Sequence, residues 1–203
     1  MSMRVISGRQ EEINKNIFEQ ALKLRYEIYR EMGFLSENKE GKDYDEYDKE
    51  AVHIIALDGN RVIGYLRLIK EMPLLSLYGE EVMYIKEKEN LKNPIELSRF
   101  VILLKYRIGN KEIIDYEKFV SFLLFKKAYE YIFSQKIDSV FIVTNPIYVE
   151  RYEKFYFFKR YGKEKEYKAV CNNPAILLYQ NISEAIKEAR NKDKKFYKFM
   201  TKY

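Results

Sequence analysis

Three aspartates lie close together in one short polar segment, residues 43–48 (DYDEYD). Asp43, Asp45 and Asp48 are spaced for a loop rather than for one face of a helix. Their carboxylates could hold a cation, anchor arginines, or face solvent. A calcium loop needs a glycine at its sharp turn and a terminal bidentate acid, and residues 43–54 lack that pattern. Which role the three carboxylates have therefore depends on whether arginines elsewhere in the chain need partners.

Two arginines do need partners, because Arg67 and Arg99 each lie inside an apolar run typical of a strand, GYLRLI and ELSRFVILL. A charge buried in a strand requires a counter-charge, and arginine suits forked pairing with carboxylates. This favours a set of ion pairs between the sheet and residues 43–48, which we call the acidic loop. The expected pairs are Arg67 with Asp48, and Arg25 with Asp43 or Asp45.

Glu96 stands three positions before Arg99 in the same run. In a regular strand Glu96 and Ser98 point to one face and Arg99 points to the other. Unless the strand is kinked or bulged, Glu96 can face a substrate as a base or anchor, while Arg99 reaches carboxylates on the opposite side and serves structure.

The elements that position these residues follow from hydrophobic periodicity. The pattern predicts an amphipathic helix over 10–30, followed by a hairpin of strands 51–57 and 61–69 around an Asp-Gly-Asn turn. Further strands are predicted over 95–104, 139–144, 167–170 and 175–179. Further helices are predicted over 116–135, from Pro146 to about 156, and from Ser183. The connection from 70 to 93 is expected to be polar and irregular. This order predicts an α+β fold, with one central mixed sheet flanked by helices, in a single domain spanning residues 1–203.

Composition narrows the class of protein. Hydrophobic residues make up 47% of the 203 residues, and only 8 are Gly and 4 are Pro, which excludes disordered and collagenous chains. The net charge of +6 is unevenly spread: residues 31–50 hold eight acids against three bases, residues 99–136 hold eight bases against four acids, and residues 183–203 hold seven bases against three acids. A basic face invites an anionic partner such as nucleic acid, a lipid surface, a phosphorylated cofactor or an acidic carrier protein.

The chain has one cysteine, Cys171, and one histidine, His53, so neither an internal disulfide nor a histidine-rich metal site is expected. No apolar stretch approaches the length of a membrane span, and residues 1–10 do not resemble a signal peptide. These features predict a cytoplasmic protein without a bound metal.

Several of these residues together resemble a known signature. Arg25 near the end of the first helix, residues 43–48, Arg67-Leu68 at the end of the hairpin, and residues 96–100 (ELSRF) are similar to the acyl-homoserine lactone synthases and the related N-acyl amino acid synthases. Both groups are acyltransferases of the GNAT fold that take acyl groups from acyl carrier protein. The resemblance covers residues 20–105, and its most specific part is the ELSRF segment.

The resemblance implies a reaction and a set of roles. A fatty acyl group would pass from an acyl-carrier-protein thioester to the amine of an amino acid, with no tightly bound cofactor. Glu96 or Asp43 would take the ammonium proton, and backbone N–H groups between splayed strands at 95–104 and 139–144 would bind the oxyanion. The residues implied in binding substrate or organising the site are Arg25, Phe34, Asp45, Asp48, Arg67, Ser98, Arg99 and Phe100.

The chain departs from the family pattern at some positions. The family usually has Glu where this chain has Asp43, and often Trp where it has Phe34. Residues 144–146, 151–155 and 173–178 are more similar to the amino acid acyltransferases than to the lactone synthases. The GNAT loop that binds the pyrophosphate of coenzyme A has only a distorted counterpart at residues 106–110, which favours acyl carrier protein over acyl-CoA as donor.

Three alternatives remain open at this level. One is an acyl-homoserine lactone synthase that uses S-adenosylmethionine. Another is a basic protein that binds carrier protein without catalysis. The third is a nucleic-acid-binding module, which no helix-turn-helix, zinc or RNA-recognition motif supports. Apolar residues within 119–125 and 155–158 could line an acyl tunnel, although core packing is the commoner role for such residues.

Overall fold

The computed structural model describes residues 3–106 and 119–201. It contains seven strands: β1 (Met3–Gly8), β2 (Val52–Asp58), β3 (Arg61–Ile69), β4 (Pro94–Ile102), β5 (Ser139–Thr144), β6 (Lys159–Tyr167) and β7 (Asn173–Asn181). Six helices accompany them: α1 (Lys15–Glu31), α2 (Leu75–Lys88), α3 (Val120–Ser134), α4 (Val149–Tyr156), α5 (Ile182–Lys192) and α6 (Lys194–Thr201).

All seven strands form one mixed sheet in the order β1-β2-β3-β4-β5-β7-β6. Every neighbouring pair is antiparallel except β4 with β5. That parallel pair is short, since only Pro94 to Glu96 pair with Ser139 to Phe141. Beyond these residues the two strands are no longer paired with each other. The sheet therefore opens into a cleft at its centre, as the predicted splay requires.

Alternating side chains bury the two faces of the sheet under different helices. On β2, Ile55 and Leu57 pack with the apolar stripe of α1, whereas Ile54 and Ala56 pack with α3. Phe141 of β5 faces α2 on the same side as α1. One face is thus covered by α1 and α2, and the other by α3 together with α5 and α6. The predicted α+β architecture is confirmed.

Local signals explain where most elements begin and end. The side chain of Asn14 caps α1 by accepting hydrogen bonds from the backbone N–H groups of Asn16 (3.0 Å) and Ile17 (3.3 Å). The hairpin turns at Gly59, whose φ of +60° suits glycine. Pro146 opens one turn of 3₁₀ helix that leads directly into α4. The hairpin and the helix starts predicted near Pro146 and Ser183 are therefore confirmed to within a few residues. The first helix begins at Lys15 and not at residue 10, after one turn of 3₁₀ helix over residues 10–12. The start predicted at residue 116 lies outside the described residues.

Three sequence predictions are wrong. The connection from 70 to 93 is not irregular, because α2 occupies much of it and buries Tyr78, Val82 and Ile85 at helical spacing. The strand expected at 167–170 lies earlier, in β6, and residues 168–170 form a 3₁₀ turn. The final helix is two helices, because Asp193 has a non-helical φ of −142° between them.

Candidate active site

Six charged side chains gather where α1, the acidic loop and strands β3 and β4 meet. We refer to them as the Arg–Asp cluster: Arg25, Arg67, Arg99, Asp43, Asp45 and Asp48. Three positive and three negative charges make the cluster neutral as a whole. The aspartates thus bind arginines and not a cation, and the described residues include no group of three His, Cys, Asp or Glu arranged to hold a metal ion.

Arg25 lies at the centre of the cluster and is fully buried. Its Nε donates to Oδ2 of Asp43 (3.0 Å), and its Nη1 and Nη2 donate to the two carboxylate oxygens of Asp48 (2.7 and 3.3 Å). The latter is a forked pair of the kind that guanidinium and carboxylate groups favour. Arg25 therefore pairs with Asp43, one of its two predicted partners, and with Asp48 in addition.

Arg67 on β3 connects the acidic loop to the sheet. Its Nη1 donates to Oδ1 of Asp48 (2.8 Å) and to Oδ1 of Asp45 (2.6 Å), and its Nε donates to Oγ of Ser98 on β4 (3.1 Å). Arg67 and Asp48 are both buried, with side chains 1% and 0% exposed. The predicted Arg67–Asp48 pair is confirmed.

Arg99 does not point to the opposite face from Glu96, so that expectation is wrong. Two residue steps on β3, from Tyr65 to Arg67, face three on β4, from Val101 to Ser98. Arg99 is the extra residue of this bulge and adopts a left-handed φ of +53°. The bulge places Ser98 and Arg99 on the same side.

The contacts of Arg99 and Phe100 confirm which face of the sheet each side chain occupies. The guanidinium of Arg99 lies 5.6 Å from the ring centre of Tyr29 on α1, and its Nη2 donates to Oδ2 of Asp45 (3.0 Å). Phe100, the next residue, turns to the other face and packs edge-on against Phe125 of α3. Arg99 therefore belongs to the Arg–Asp cluster.

The arginines keep the buried aspartates ionised. Burial by itself would raise the pKa of Asp48, but Arg25 and Arg67 bring the pKa of Asp48 down to about 2. In the same way Arg25 and Arg99 outweigh the burial of Asp43 and hold its pKa below the ordinary value. Both carboxylates are fixed acceptors in a structural network.

His53 and Tyr65 support the cluster from β2 and β3. Nε2 of His53 lies 2.9 Å from the backbone oxygen of Asp48, which can only accept, so Nε2 carries the proton. Nδ1 of His53 then accepts from the hydroxyl of Tyr65 (2.6 Å), which itself accepts from Nη1 of Arg25 (3.3 Å). Burial lowers the pKa of His53 to about 4, so the ring is neutral at physiological pH. Sequence reasoning did not assign either residue to the site.

Glu96 differs from the aspartates, because its carboxylate has no arginine partner among the described residues. It is the last β4 residue paired with β5, and it is 6% exposed. Its Oε2 accepts from the backbone N–H of Leu74, at the start of α2 (3.0 Å). Burial raises the pKa of Glu96 to about 7, although that hydrogen bond, Arg67 and Arg99 act in the opposite direction. Glu96 is therefore balanced between its two protonation states near neutral pH.

A cavity of about 1080 Å³ fills the cleft between the separated parts of β4 and β5. Such a volume is at the upper end of the range for small-molecule sites. Residues predicted for the site that line it are Phe34, Asp45, Arg67, Glu96, Ser98, Arg99 and Phe100. Arg25, Asp43 and Asp48 do not line the cavity, since they lie behind its wall and hold the acidic loop in place.

Other parts of the chain complete the wall of the cavity. These are residues of α1, the acidic loop, the end of β5, α4 and the segment between β6 and β7; polar examples that sequence reasoning missed are Tyr29, Tyr47, Asn145, Tyr148, Arg151, Lys154 and Tyr167. Tyr47, Asn145, Arg151 and Lys154 lie in segments that carry the family resemblance, residues 43–48, 144–146 and 151–155, but they were given no role there. No motif marks Tyr29, Tyr148 or Tyr167. Of the segments proposed for an acyl tunnel, Ser121, Phe155 and Tyr156 line the cavity, whereas Phe122, Leu124, Phe125 and Phe158 are buried in the core.

Two sequence predictions lie wholly or partly outside the described residues. The distorted coenzyme loop falls on residues 106–110, of which only Tyr106 is described, and three of the eight bases counted in 99–136 fall within 107–118. A fourth base, Arg99, is not on a surface, because it belongs to the Arg–Asp cluster. No helix among the described residues is long and apolar enough to cross a membrane.

A comparison with protein families identifies the family to which this chain belongs. The family model of the N-acyl amino acid synthase FeeM matches residues 20–181, which include the Arg–Asp cluster, Glu96 and both strands of the cleft. The chain belongs to this family. No curated protein sequence matches it. As a member of the FeeM family, the protein is an N-acyltransferase, and the non-catalytic alternatives are set aside.

Solved structures agree with the fold. FeeM from uncultured soil microbes superposes with a TM-score of 0.71 at 18% identity, covering 92% of this chain and 94% of that one. The acyl-homoserine lactone synthase LasI gives 0.65 at 21% identity, covering 88% and 89%. BjaI, a CoA-dependent acyl-homoserine lactone synthase solved with SAM and isopentyl-CoA, gives 0.66 at 18% identity, covering 93% and 87%. At these identities the likeness shows the GNAT-type fold. The family match over residues 20–181 confirms the predicted superfamily.

Proposed function

We propose that this FeeM-family enzyme joins a fatty acyl group to the amine of an amino acid within the central cleft. The observation that carries the proposal is the position of Glu96, at the point where β4 and β5 part and the cavity begins. The amine nitrogen attacks the thioester carbonyl carbon, a C–N bond forms, and the C–S bond breaks. The ammonium proton passes to Glu96, directly or through water, and the departing thiolate takes up a proton.

Glu96 suits the role of base better than Asp43. A base works best when its pKa lies near the working pH, and the pKa of Glu96 is raised to about 7. Asp43 does not line the cavity, and its Oδ2 is held by Arg25 at 3.0 Å. We therefore assign Asp43 to the scaffold, although the resemblance named it as an alternative base.

The two sides of the cleft fit the two substrates. On the side of α1 the cavity carries polar groups, including Glu96, Arg99 and Tyr47, which suit an amino acid. On the side of α3 it is lined by Phe100, Phe155 and other apolar groups, which suit an acyl chain. Backbone N–H groups on the facing edges of β4 and β5, past their last paired residues, would bind the oxyanion of the tetrahedral intermediate.

We propose acyl carrier protein as the donor. The support is the net charge of +6, the distorted coenzyme loop in the sequence, and the exposed lysines of α6, Lys194, Lys195 and Lys198. Docking of an acidic carrier on basic groups weakens with salt, so turnover should fall steeply as ionic strength rises. Equal turnover with free acyl-CoA, insensitive to salt, would show that the donor assignment is wrong. A cytoplasmic location stays a prediction.

The test is a product analysis. The protein is incubated with long-chain acyl-carrier protein and each of a panel of amino acids, and products are identified by mass. We expect N-acyl amino acids, formed by the wild type and strongly reduced in Glu96→Gln. Glu153→Gln, which removes an exposed acid of α4, is the matched control and should retain activity. An acyl-homoserine lactone formed from S-adenosylmethionine would instead favour the synthase alternative.

A further inference from the structure

The three arginines of the Arg–Asp cluster differ in how many of their nitrogens are occupied. Arg25 and Arg67 are buried, and each of their three side-chain nitrogens donates a hydrogen bond to an acidic-loop aspartate or to Ser98. Every side-chain nitrogen of these two arginines thus already has a partner within the protein.

Arg99 is different. Its Nη2 donates to Oδ2 of Asp45 (3.0 Å), and its Nε lies 2.8 Å from Oδ2 of Asp43, an ion pair in which the N–H is not aligned for a hydrogen bond. Within residues 3–106 and 119–201, no hydrogen-bond or ion-pair partner contacts Nη1 of Arg99. The side chain is 18% exposed and lines the cavity. Arg99 therefore presents a fixed, charged donor to whatever the cavity binds.

The direction of this donor matches one chemical group. Two aspartates hold the guanidinium from one side, so its orientation is set before a ligand arrives. A guanidinium edge recognises a carboxylate or phosphate through charge-assisted hydrogen bonds. The β4 bulge places Arg99 on the same side as Glu96, and an α-amino acid carries its carboxylate one carbon away from its amine. A base for the amine and a cation for the carboxylate are thus needed side by side.

We infer that Arg99 binds the α-carboxylate of the acceptor through Nη1 and thereby selects amino acids over simple amines and amino acid amides. This inference rests on the proposed function. It gives Arg99 a specificity role, which is to recognise the free α-carboxylate of the acceptor. A purely structural Arg99 would instead affect every acceptor equally.

The variants can be chosen so that the fold survives. When Arg99 becomes glutamine, Asp43 keeps Arg25 (3.0 Å) and Asp45 keeps Arg67 (2.6 Å), so neither carboxylate is left without a cation. Arg99→Lys keeps the charge and loses the planar fork. Arg30→Gln removes an exposed arginine of α1 that does not line the cavity, and it serves as the matched control.

The kinetic test compares an amino acid acceptor with its α-carboxamide. Arg99→Gln should lower kcat/KM for the amino acid by roughly 10- to 100-fold, because losing a hydrogen bond between charged groups has an effect of about that size. The loss should appear mainly in KM. For the carboxamide the loss should be less than about threefold. Arg99→Lys should restore part of the activity on the amino acid, and Arg30→Gln should match the wild type. Equal losses on both acceptors would overturn the inference.

A binding measurement separates this inference from the proposed function. N-dodecanoylglycine and N-dodecanoylglycinamide differ only in the carboxylate, and their affinities can be measured by calorimetry without turnover. The wild type should favour the carboxylate probe, and Arg99→Gln should bind the two probes equally. If no acceptor is acylated, the proposed reaction fails while these affinities still decide the role of Arg99. Unchanged preference in the variant would refute that role.

Discussion

Replacing Glu96 by glutamine should make the protein more stable at alkaline pH, even though it removes the proposed base. Folding raises the pKa of Glu96 from 4.5 to about 7, mainly because burial disfavours the charged carboxylate. A tenfold change in proton affinity equals about 1.4 kcal/mol, so the raised pKa corresponds to about 3 kcal/mol of unfolding free energy. Glutamine is close in size, and its side-chain oxygen can still accept from the N–H of Leu74.

The direction of this pH dependence follows from the number of protons that Glu96 binds in the folded and unfolded states. Between pH 4.5 and about 7 the unfolded chain has lost the Glu96 proton while the folded protein retains it, so wild-type stability falls as pH rises through this window. Below pH 4.5 both states are protonated and no cost arises. Because the Gln variant has no such proton, its stability advantage over wild type should grow by about 3 kcal/mol between pH 4.5 and about 8 and then level off.

Urea unfolding monitored by far-UV circular dichroism at a series of pH values measures this difference. Glu153→Gln is again the matched control, since Glu153 is exposed on α4, and its stability should follow the wild type at every pH. Parallel curves for wild type and Glu96→Gln would refute the reasoning, because they would mean that Glu96 titrates normally in the folded protein. Wild-type turnover should rise with pH through about 7, whereas the Gln variant should recover only partly at high pH, where more of the acceptor amine is neutral.

The remaining predictions concern stability. Asp48→Ala should lower the unfolding free energy by about 3–5 kcal/mol at pH 7, since it leaves two buried arginines short of a partner. Part of the difference should vanish as pH falls below 3.8 and through about 2, where wild-type Asp48 becomes protonated. Arg99→Gly should be more stable than Arg99→Ala by about 1 kcal/mol, because glycine tolerates φ of +53°, and the reverse order would contradict a left-handed residue. Gly64→Ala would place Cβ 2.7 Å from Val120 Cγ1 and should cost about 1–3 kcal/mol in chemical denaturation. Gly79→Ala, with nothing within 4 Å, is its control and should not destabilise.

Sequence reasoning predicted the elements whose apolar residues are periodic and the charges that needed partners. Arg67 inside GYLRLI had to be neutralised, and the acidic loop was the available source of carboxylates, so the Arg67–Asp48 pair could be predicted. The hairpin, α1 and the buried strands β4 and β5 could be predicted because their apolar residues recur at strand or helix spacing. The family resemblance, together with the order of the strands, predicted the splay that forms the cleft.

Other features leave no such trace. The bulge at Arg99 occurs without a glycine to mark its positive φ, so simple alternation assigned Arg99 to the wrong face. β6 was missed because it is an edge strand rich in Lys and Glu, with little apolar alternation to read. α2 was missed because Leu74, at its start, is not a capping side chain, although Tyr78, Val82 and Ile85 carry a readable helical spacing. The cavity wall draws single residues from many segments, and only tertiary structure brings them together.

The short contact between β4 and β5 has a consequence for how ligands affect the folded state. Within the sheet itself, strand pairing joins the four strands on one side to the three on the other through only three residue pairs. An acyl chain held in the cleft touches both halves at once and adds apolar contacts across the seam, much as a core side chain would. Ligand affinity and resistance to unfolding are then coupled, with a gain of about 2.7 kcal/mol at a ligand concentration one hundred times Kd. Longer acyl chains that bind more tightly should therefore raise the melting temperature further.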